Sequence, residues 1–330
     1  MRLKKSVAVI MFLIFFICSS GCAYKEKYEA TENFFAMDAL CTVTFYGADA
    51  FNDVKECVLS LDQKFSAHND KSGIFRLNKE KSAVLDKDEK SILEQSAELY
   101  KKYGVVDITI GEITKLWDIL GESPEIPSDE AISLALETVD CQNISFSGNN
   151  CVLKNGTSID LGAVGKGFAL DRVYEILKEE NISCAVVSFG SSSLLYGRKP
   201  DESSFKIAVK DPEDDSKTLL NFEIDNGFVS TSGGYERFFE ADGKKYCHIF
   251  DKSTGRPTET DLTTVTVICE SGIKSDFLST CIFIDGSENI GKYLDNEDFQ
   301  VIAADKNKNI YCSEKIKSKI KLKDSSYKLI

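Results

Sequence analysis

The sequence has no apolar run long enough to cross a bilayer, no Cys-x-x-Cys pair, no internal repeat and no low-complexity segment. Its longest apolar run, Val7 to Ile17, is well short of the roughly 20 residues that a transmembrane helix needs. The 11 cysteines are scattered, and an odd number remains once Cys18 and Cys22 are set aside. This pattern argues against a zinc cluster and against a small disulfide scaffold. We interpret the cysteines as small core hydrophobes.

Basic residues are fewer than acidic ones, 40 Lys and Arg against 53 Asp and Glu, so the 330 residues carry a formal net charge of −13 at pH 7. A surface this acidic argues against nucleic acid as a partner. It also repels anionic substrates. A bound pyrophosphate would therefore need a metal ion or a helix N-terminus to offset the local charge.

The N-terminus is typical of a secreted bacterial lipoprotein. A basic start, the short apolar run and three small residues lead to Cys22, which predicts a signal peptide over residues 1–21. Cys22 would then carry the lipid, and residues 22–33 would be a charged tether. This predicts a lipid-anchored protein on the extracytoplasmic side of the cell membrane. Because Ser19 replaces the usual leucine, simple secretion and an uncleaved anchor remain alternatives.

The remaining residues, 34–330, have no obvious linker, and their hydrophobic periodicity predicts an α+β domain. Predicted strands lie near 41–46, 184–189, 205–209, 246–250, 263–269 and 299–304. Predicted helices cover the apolar series Val54, Val58, Leu61 and Phe65, then 88–103, 168–180 and a segment from Lys274. Short strands are expected over 144–161 around the turns Gly148-Asn-Asn and Asn155-Gly156, the latter a strong hairpin signal. The order lacks regular β-α-β alternation, which favours mixed, largely antiparallel sheets over a doubly wound sheet.

His248 is one of only two histidines. It lies in Tyr246-Cys-His-Ile-Phe250, and a residue of near-neutral pKa is a natural proton acceptor. The competing interpretation is a half-buried strand residue without chemistry.

Two further segments have the composition of a ligand site. Residues 159–167 run from a strand into a helix through three glycines, which suits close approach to a phosphate. The spacing is not that of a Walker A loop, and a plain tight connection is equally compatible. The stretch 229–237 is small and polar, and it lines a cleft or forms an ordinary loop.

Asp276 and Thr280 lie four residues apart, so on a helix they share one face. A carboxylate and a hydroxyl oxygen suit Mg²⁺ or Ca²⁺. Taken alone, Asp276 is as readily explained as a helix cap.

Together these segments closely resemble the ApbE-type FAD:protein FMN transferases, extracytoplasmic enzymes that attach FMN covalently to threonine or serine of target flavoproteins. The resemblance runs from about Phe34 to Gly286. It rests on six short motifs in order: Ala36-Met37, Asp107-Ile-Thr-Ile-Gly111, Asp160-Leu-Gly-Ala163-x-x-Lys166-Gly167, Thr231-Ser-Gly-x-Tyr235, His248-Ile-x-Asp251-x-x-Thr-Gly255 and Asp276-x-x-x-Thr280.

The resemblance implies an ApbE-like fold with its active site in a cleft between two interleaved subdomains, and it implies the following residue roles. His248 would be the catalytic base. Mg²⁺ would be held by the side chains of Asp276 and Thr280 and the backbone carbonyl of Ala163. FAD, as substrate, would contact Met37, His68, Val105, Val106, Asp107, Asp160, Lys166, Phe250 and Ser279. His68 stands where the family often has an aromatic tyrosine, so its role is a departure from the pattern.

The implied activity is transfer of FMN from FAD to a target hydroxyl with release of AMP. The implied acceptors are extracytoplasmic flavoprotein subunits of membrane redox complexes, such as Rnf-type or Na⁺-pumping NADH:quinone reductases. A hydrolase that splits FAD with water would use the same base and metal. A lipoprotein that binds FAD without chemistry is the alternative from a different functional class.

Overall fold

The computed structural model describes residues 29–67, 69–121, 124–214 and 216–330. The predicted signal peptide, Cys22, His68 and most of the tether lie outside these ranges. Within them, no helix combines the length and apolar character that crossing a membrane requires.

The helices are α1 Phe51–Phe65, α2 Gly73–Glu80, α3 Lys87–Tyr103, α4 Gly111–Trp117, α5 Asp129–Leu136, α6 Gly165–Glu179, α7 Gly272–Asp285, α8 Gly291–Leu294 and α9 Glu314–Lys317. The strands are β1 Glu29–Ala36, β2 Ala39–Tyr46, β3 Ser82–Val84, β4 Ile144–Ser147, β5 Asn150–Leu153, β6 Cys184–Phe189, β7 Ser192–Gly197, β8 Phe205–Lys210, β9 Thr218–Ile224 and β10 Gly227–Gly233. They continue with β11 Phe238–Ala241, β12 Lys244–Cys247, β13 Phe250–Asp251, β14 Arg256–Pro257, β15 Leu262–Cys269, β16 Phe299–Asp305, β17 Asn309–Cys312, β18 Lys321–Leu322 and β19 Lys328–Leu329.

A nine-stranded sheet in the order β1-β2-β6-β7-β10-β15-β16-β17-β19 forms the centre of the domain. Its neighbouring strands pair antiparallel except for β17 and β19. Smaller sheets, β18-β9-β8 and β3-β5-β4, and two short hairpins complete the fold. The α+β prediction with largely antiparallel sheets is therefore confirmed.

Both faces of the central sheet are buried, because side chains alternate between two cores along each strand. On β16, Val301 and Ala303 contact the core on the helix side, whereas Ile302 and Ala304 contact the core on the other face. Helices α1, α6 and α7 supply the first core, and the β18-β9-β8 sheet covers the second. This arrangement explains why β15 and β16 are apolar along most of their length.

Most periodic elements were predicted correctly. The four apolar residues of α1 are all buried, and the strands near 184–189, 205–209, 263–269 and 299–304 lie within one residue of β6, β8, β15 and β16.

Three local predictions were wrong. Asn155 and Gly156 form a tight turn with positive φ angles of 53° and 76°, but no strand follows it. The hairpin instead turns at Gly148-Asn149 between β4 and β5. The predicted strand 246–250 is split, and His248 lies between β12 and β13 rather than within a strand. Helix α6 begins at Gly165, three residues before the predicted start.

The single tryptophan anchors a small third core beside the site. Trp117 is fully buried, its ring lies 6.2 Å from that of Phe250, and its indole N–H donates to the Gly255 carbonyl oxygen at 2.8 Å. This bond joins α4 to the segment that follows His248.

Replacing Trp117 with phenylalanine is expected to lower the free energy of unfolding by about 1–3 kcal/mol, because a buried carbonyl loses its donor. Chemical denaturation followed by far-UV circular dichroism measures this change. An unfolding free energy equal to that of the wild type would show that the bond does not contribute to stability.

Candidate active site

A cleft of about 960 Å³ opens at one end of the central sheet. Three neighbouring parts of the sheet form one wall: the β1–β2 turn, the β6–β7 turn and the end of β10. The rest of the lining includes residues within 74–79, 106–120 and 158–160. The cleft is thus assembled from segments far apart in sequence.

The Gly-rich segment places the N-terminus of the 15-residue helix α6 in this cleft. Gly165 and Lys166 line it, and the next residue, Gly167, donates its backbone N–H to Asp276 Oδ2 at 3.0 Å. Lys166 Nζ lies 3.9 Å from the same carboxylate oxygen. A helix N-terminus and an ammonium group together suit negative charge, and the Asp276 carboxylate already supplies part of it.

Helices α6 and α7 cross at a pair of glycines. A Cβ on Gly167 would lie 2.2 Å from the Gly272 carbonyl oxygen, and a Cβ on Gly272 would lie 2.2 Å from the Gly167 carbonyl oxygen. Only glycine permits this approach. The crossing brings Asp276 on α7 against the start of α6.

Asp276 does not cap α7, the helix to which it belongs. The N-cap of α7 is Ser271, whose Oγ accepts from the Lys274 N–H, and the Asp171 carboxylate accepts from the N–H groups of the first two helical residues. Asp276 lies in the second turn and is 6 % exposed. Its second oxygen, Oδ1, accepts from Ser192 Oγ at 3.1 Å.

Three further hydroxyl groups lie one turn along α7 and on β10, and two of them donate to the backbone carbonyl of Asp276. Ser232 Oγ lies 3.2 Å from Thr280 Oγ1 and 2.8 Å from Ser279 Oγ. Ala163 also lines the cleft, and among the described residues no group donates a hydrogen bond to its carbonyl oxygen. The described residues contain no group of three or more Asp, Glu, His or Cys side chains that could together hold a metal ion. A single carboxylate with neutral oxygen donors suits Mg²⁺ that is completed by substrate phosphates and water.

His248 lies half-buried in the same cleft with its ring oriented by the backbone. Nδ1 is 3.2 Å from the Arg237 carbonyl oxygen. Because a carbonyl only accepts, Nδ1 carries the proton and Nε2 has a free lone pair. Burial and, to a smaller extent, the positive charges of Arg237 and Lys166 lower the pKa of His248 to about 4, against the hydrogen bond to the Arg237 carbonyl, which raises it. The ring is therefore neutral at pH 7 and available to accept a proton.

This assignment predicts that His248 stays neutral down to about pH 4. Replacing His68 with glutamine leaves one histidine, so its ring ¹⁵N resonances report His248 alone. Added FAD is expected to raise the pKa, because its pyrophosphate would offset the two cations. Protonation near the ordinary pKa of 6.5 without FAD would contradict the assignment. Because the pKa of His248 is lower in the folded chain than in the unfolded chain, the neutral ring contributes to stability above pH 6.5. This contribution is lost as the pH falls toward 4.

The structure brings most of the predicted FAD contacts together. Those that line the cleft are Met37, Val106, Asp107, Asp160, Lys166 and Phe250, beside His248 and the metal candidates Ala163, Asp276 and Thr280. Of the remaining described contacts, Val105 packs against the main core and Ser279 is fully buried. His68 lies outside the described residues.

Asp107 has a structural role beyond what its motif indicated. Its Oδ1 accepts from the N–H and hydroxyl of Thr109, and Oδ2 accepts from the Cys141 N–H. The carboxylate is 2 % exposed. Asp107 therefore holds the backbone of Thr109 and Cys141 in place behind the cleft.

Residues missed by sequence reasoning also reach the cleft. Asn78 exchanges hydrogen bonds of 2.6 and 2.8 Å with the backbone of Ile159, and Asp62 accepts from the Met37 N–H at 2.9 Å. Neither belongs to a local pattern that marks a site. The stretch 229–237, for which the sequence left a cleft lining and an ordinary loop open, contributes Thr231 to Gly233, Glu236 and Arg237 to the cleft, and no role was assigned to Arg237.

Comparisons with known proteins agree on the family and the fold of the chain. A sequence model of the ApbE family matches residues 37–303. A FAD:protein FMN transferase of Klebsiella pneumoniae (strain 342) is 31% identical over 229 residues, covering 68% of this chain and 71% of the relative. One from Treponema pallidum is 28% identical over 296 residues, covering 81% of both chains. The crystal structure of the ApbE protein from Thermotoga maritima superposes with a TM-score of 0.82 at 28% identity, covering 88% of this chain and 99% of the other.

Proposed function

The chain belongs to the ApbE family, and on that premise we propose that it is a Mg²⁺-dependent FAD:protein FMN transferase acting on a threonine or serine hydroxyl. The observation that carries the proposal is the position of His248. Its ring is neutral, its Nδ1 is bound to a carbonyl oxygen, and it shares one cleft with the α6 N-terminus, Lys166 and Asp276. A proton acceptor and an anion site are thus placed together.

The proposed reaction is a substitution at phosphorus. The acceptor hydroxyl oxygen attacks the FMN-side phosphorus of FAD, the bond from that phosphorus to the AMP oxygen breaks, and AMP leaves. His248 takes the hydroxyl proton at Nε2, while its Nδ1–H bond keeps the ring oriented. The α6 N-terminus and Lys166 bind the pyrophosphate and offset its charge within an acidic protein.

The oxygen donors of the site fit Mg²⁺. Asp276, Thr280 and the Ala163 carbonyl would hold it, with Ser232 adjacent to Thr280. When bound, Mg²⁺ would neutralise charge on the phosphate oxygens. The hydrogen bond that Asp276 accepts from Gly167 fixes the carboxylate for this role.

The acceptors and the location of the enzyme are part of the same proposal. Family resemblance supports extracytoplasmic flavoprotein subunits of membrane redox complexes, of the Rnf or Na⁺-pumping NADH:quinone reductase kind. The signal-like N-terminus supports attachment to the membrane through a lipid on Cys22. An acceptor fixed to a membrane would meet an anchored transferase at high effective concentration.

The test incubates residues 23–330 with FAD, Mg²⁺ and a candidate acceptor domain, and measures the mass of the acceptor together with released AMP. We expect an FMN-sized mass gain matched by AMP, with loss of both when EDTA removes the metal. AMP without a mass gain, across several acceptors, would indicate hydrolysis. Bound FAD with neither product would indicate a carrier and would overturn the proposal.

A further inference from the structure

The β1–β2 turn at the mouth of the cleft has an unusual backbone. Met37 and Asp38 are adjacent non-glycine residues, and both have φ near 53°. Both central residues of a two-residue β-hairpin turn take this left-handed conformation, normally as Asn, Asp or Gly, so Met37 is an unusual residue there and neighbouring contacts help to hold it. Both line the cleft. The contacts that hold this turn therefore bear on the shape of the site.

Two side chains from distant elements hold the turn. Asp62 of α1 accepts the Met37 N–H at 2.9 Å. From the opposite side, the Arg237 guanidinium donates to the Asp38 carbonyl oxygen at 2.6 Å. Arg237 lies in the segment between β10 and β11, so this bond spans 199 positions of sequence.

The backbone of Arg237 also holds the candidate base. Its carbonyl oxygen accepts the backbone N–H of His248 at 3.1 Å and faces the ring Nδ1 at 3.2 Å. One residue is thus bound to the β1–β2 turn through its side chain and to His248 through its carbonyl. The guanidinium bond is the connection between the two.

We propose that Arg237 is a positioning residue for FMN transfer. Its bond to Asp38 fixes the β10–β11 segment against the β1–β2 turn, and thereby fixes the His248 ring relative to FAD bound beside Met37. This inference rests on the proposed function. The alternative is that the guanidinium makes an ordinary surface contact without consequence for the site.

The charge of Arg237 provides a second way to detect this role. His248 experiences Arg237 and Lys166 as cations, and Glu236 lines the same cleft. Loss of the Arg237 charge by itself is expected to raise the pKa of His248, whereas loss of the Nδ1 bond to the Arg237 carbonyl is expected to lower it. Lysine at this position keeps the charge and one donor, whereas glutamine keeps only a donor.

The experiment compares Arg237→Gln and Arg237→Lys with Arg256→Gln as a matched control. Arg256 forms an exposed ion pair with Asp129 away from the cleft. Each variant is made with and without His68→Gln, and thermal melting verifies that it folds. Ring ¹⁵N resonances of His248 are measured without FAD, and transfer rate and FAD affinity are measured in the intact-histidine background.

For Arg237→Gln we expect mixed Nδ1–H and Nε2–H tautomers and a kcat lower by about 10²-fold, the scale of a displacement of about 1 Å. FAD affinity is expected to change much less than kcat. Arg237→Lys should recover part of the rate, and Arg256→Gln should match the wild type.

An unchanged tautomer in folded Arg237→Gln would overturn the inference, as would an unchanged rate despite an altered tautomer. The ring resonances need neither FAD nor an acceptor. If the wild type fails to transfer FMN, the proposed function fails, while the tautomer still shows whether Arg237 orients His248.

Discussion

Replacing His248 with alanine is expected to slow FMN transfer by about 10²–10⁴-fold, equivalent to roughly 3–5 kcal/mol in the barrier. FAD affinity should stay nearly unchanged, because in the proposed complex the pyrophosphate would be bound by the α6 N-terminus and Lys166 rather than by the imidazole. Single-turnover release of AMP in the presence of acceptor measures the rate, and equilibrium dialysis measures the affinity. A normal rate in the folded variant would contradict the role of His248 as base.

Added imidazole separates loss of the base from a general structural defect. A small diffusible base can enter the space left by the ring and restore part of the rate of His248→Ala. Rescue that rises with the fraction of neutral imidazole would support proton acceptance. A misfolded cleft would not respond.

Alanine at Gly167 or Gly272 is expected to destabilise the fold by about 3 kcal/mol or more, because overpacking against backbone cannot be relieved by a side-chain rotation. The new Cβ would lie 2.2 Å from a carbonyl oxygen of the facing helix. Alanine is favoured over glycine in a helix by about 1 kcal/mol, so propensity alone predicts the opposite sign. We expect the steric contact with the facing carbonyl oxygen to outweigh the gain in helix propensity, so both substitutions should lower the free energy of unfolding.

Gly291→Ala is the matched control, because a Cβ at that helical position meets no atom within 4 Å. Its free energy of unfolding should lie within about 1 kcal/mol of the wild type. Chemical denaturation followed by circular dichroism compares the three variants. Equal stability of Gly167→Ala and Gly291→Ala would show that the helices do not cross as closely as described.

Sequence periodicity predicted the elements that bury one face or both. The apolar side of α1 repeats at helical spacing, and β16 is apolar from Val301 to Ala304, so both were recognised from local pattern. The start of α6 was not, because its glycines have poor helix propensity and only the crossing with α7 explains them. The Asn155-Gly156 turn was misassigned because turn chemistry cannot show whether a second strand follows.

Only part of the candidate site was predicted, because local motifs mark single residues but not their contacts with distant segments. Short motifs marked His248, Lys166 and Asp276, and Asp276 could still be taken for a cap. That ambiguity ended only when the structure showed Ser271 and Asp171 at the start of α7. The contact of Arg237 with the β1–β2 turn joins residues 199 positions apart, and no local pattern encodes such a pairing.

The most direct test of the account is a crystal structure with FAD and Mg²⁺ bound in the absence of acceptor. We predict the pyrophosphate at the α6 N-terminus beside Lys166 and Asp276, with His248 Nε2 facing the open side of the FMN phosphorus. FAD bound elsewhere, or a His248 ring turned away from that phosphorus, would contradict the central claim that this cleft performs the transfer.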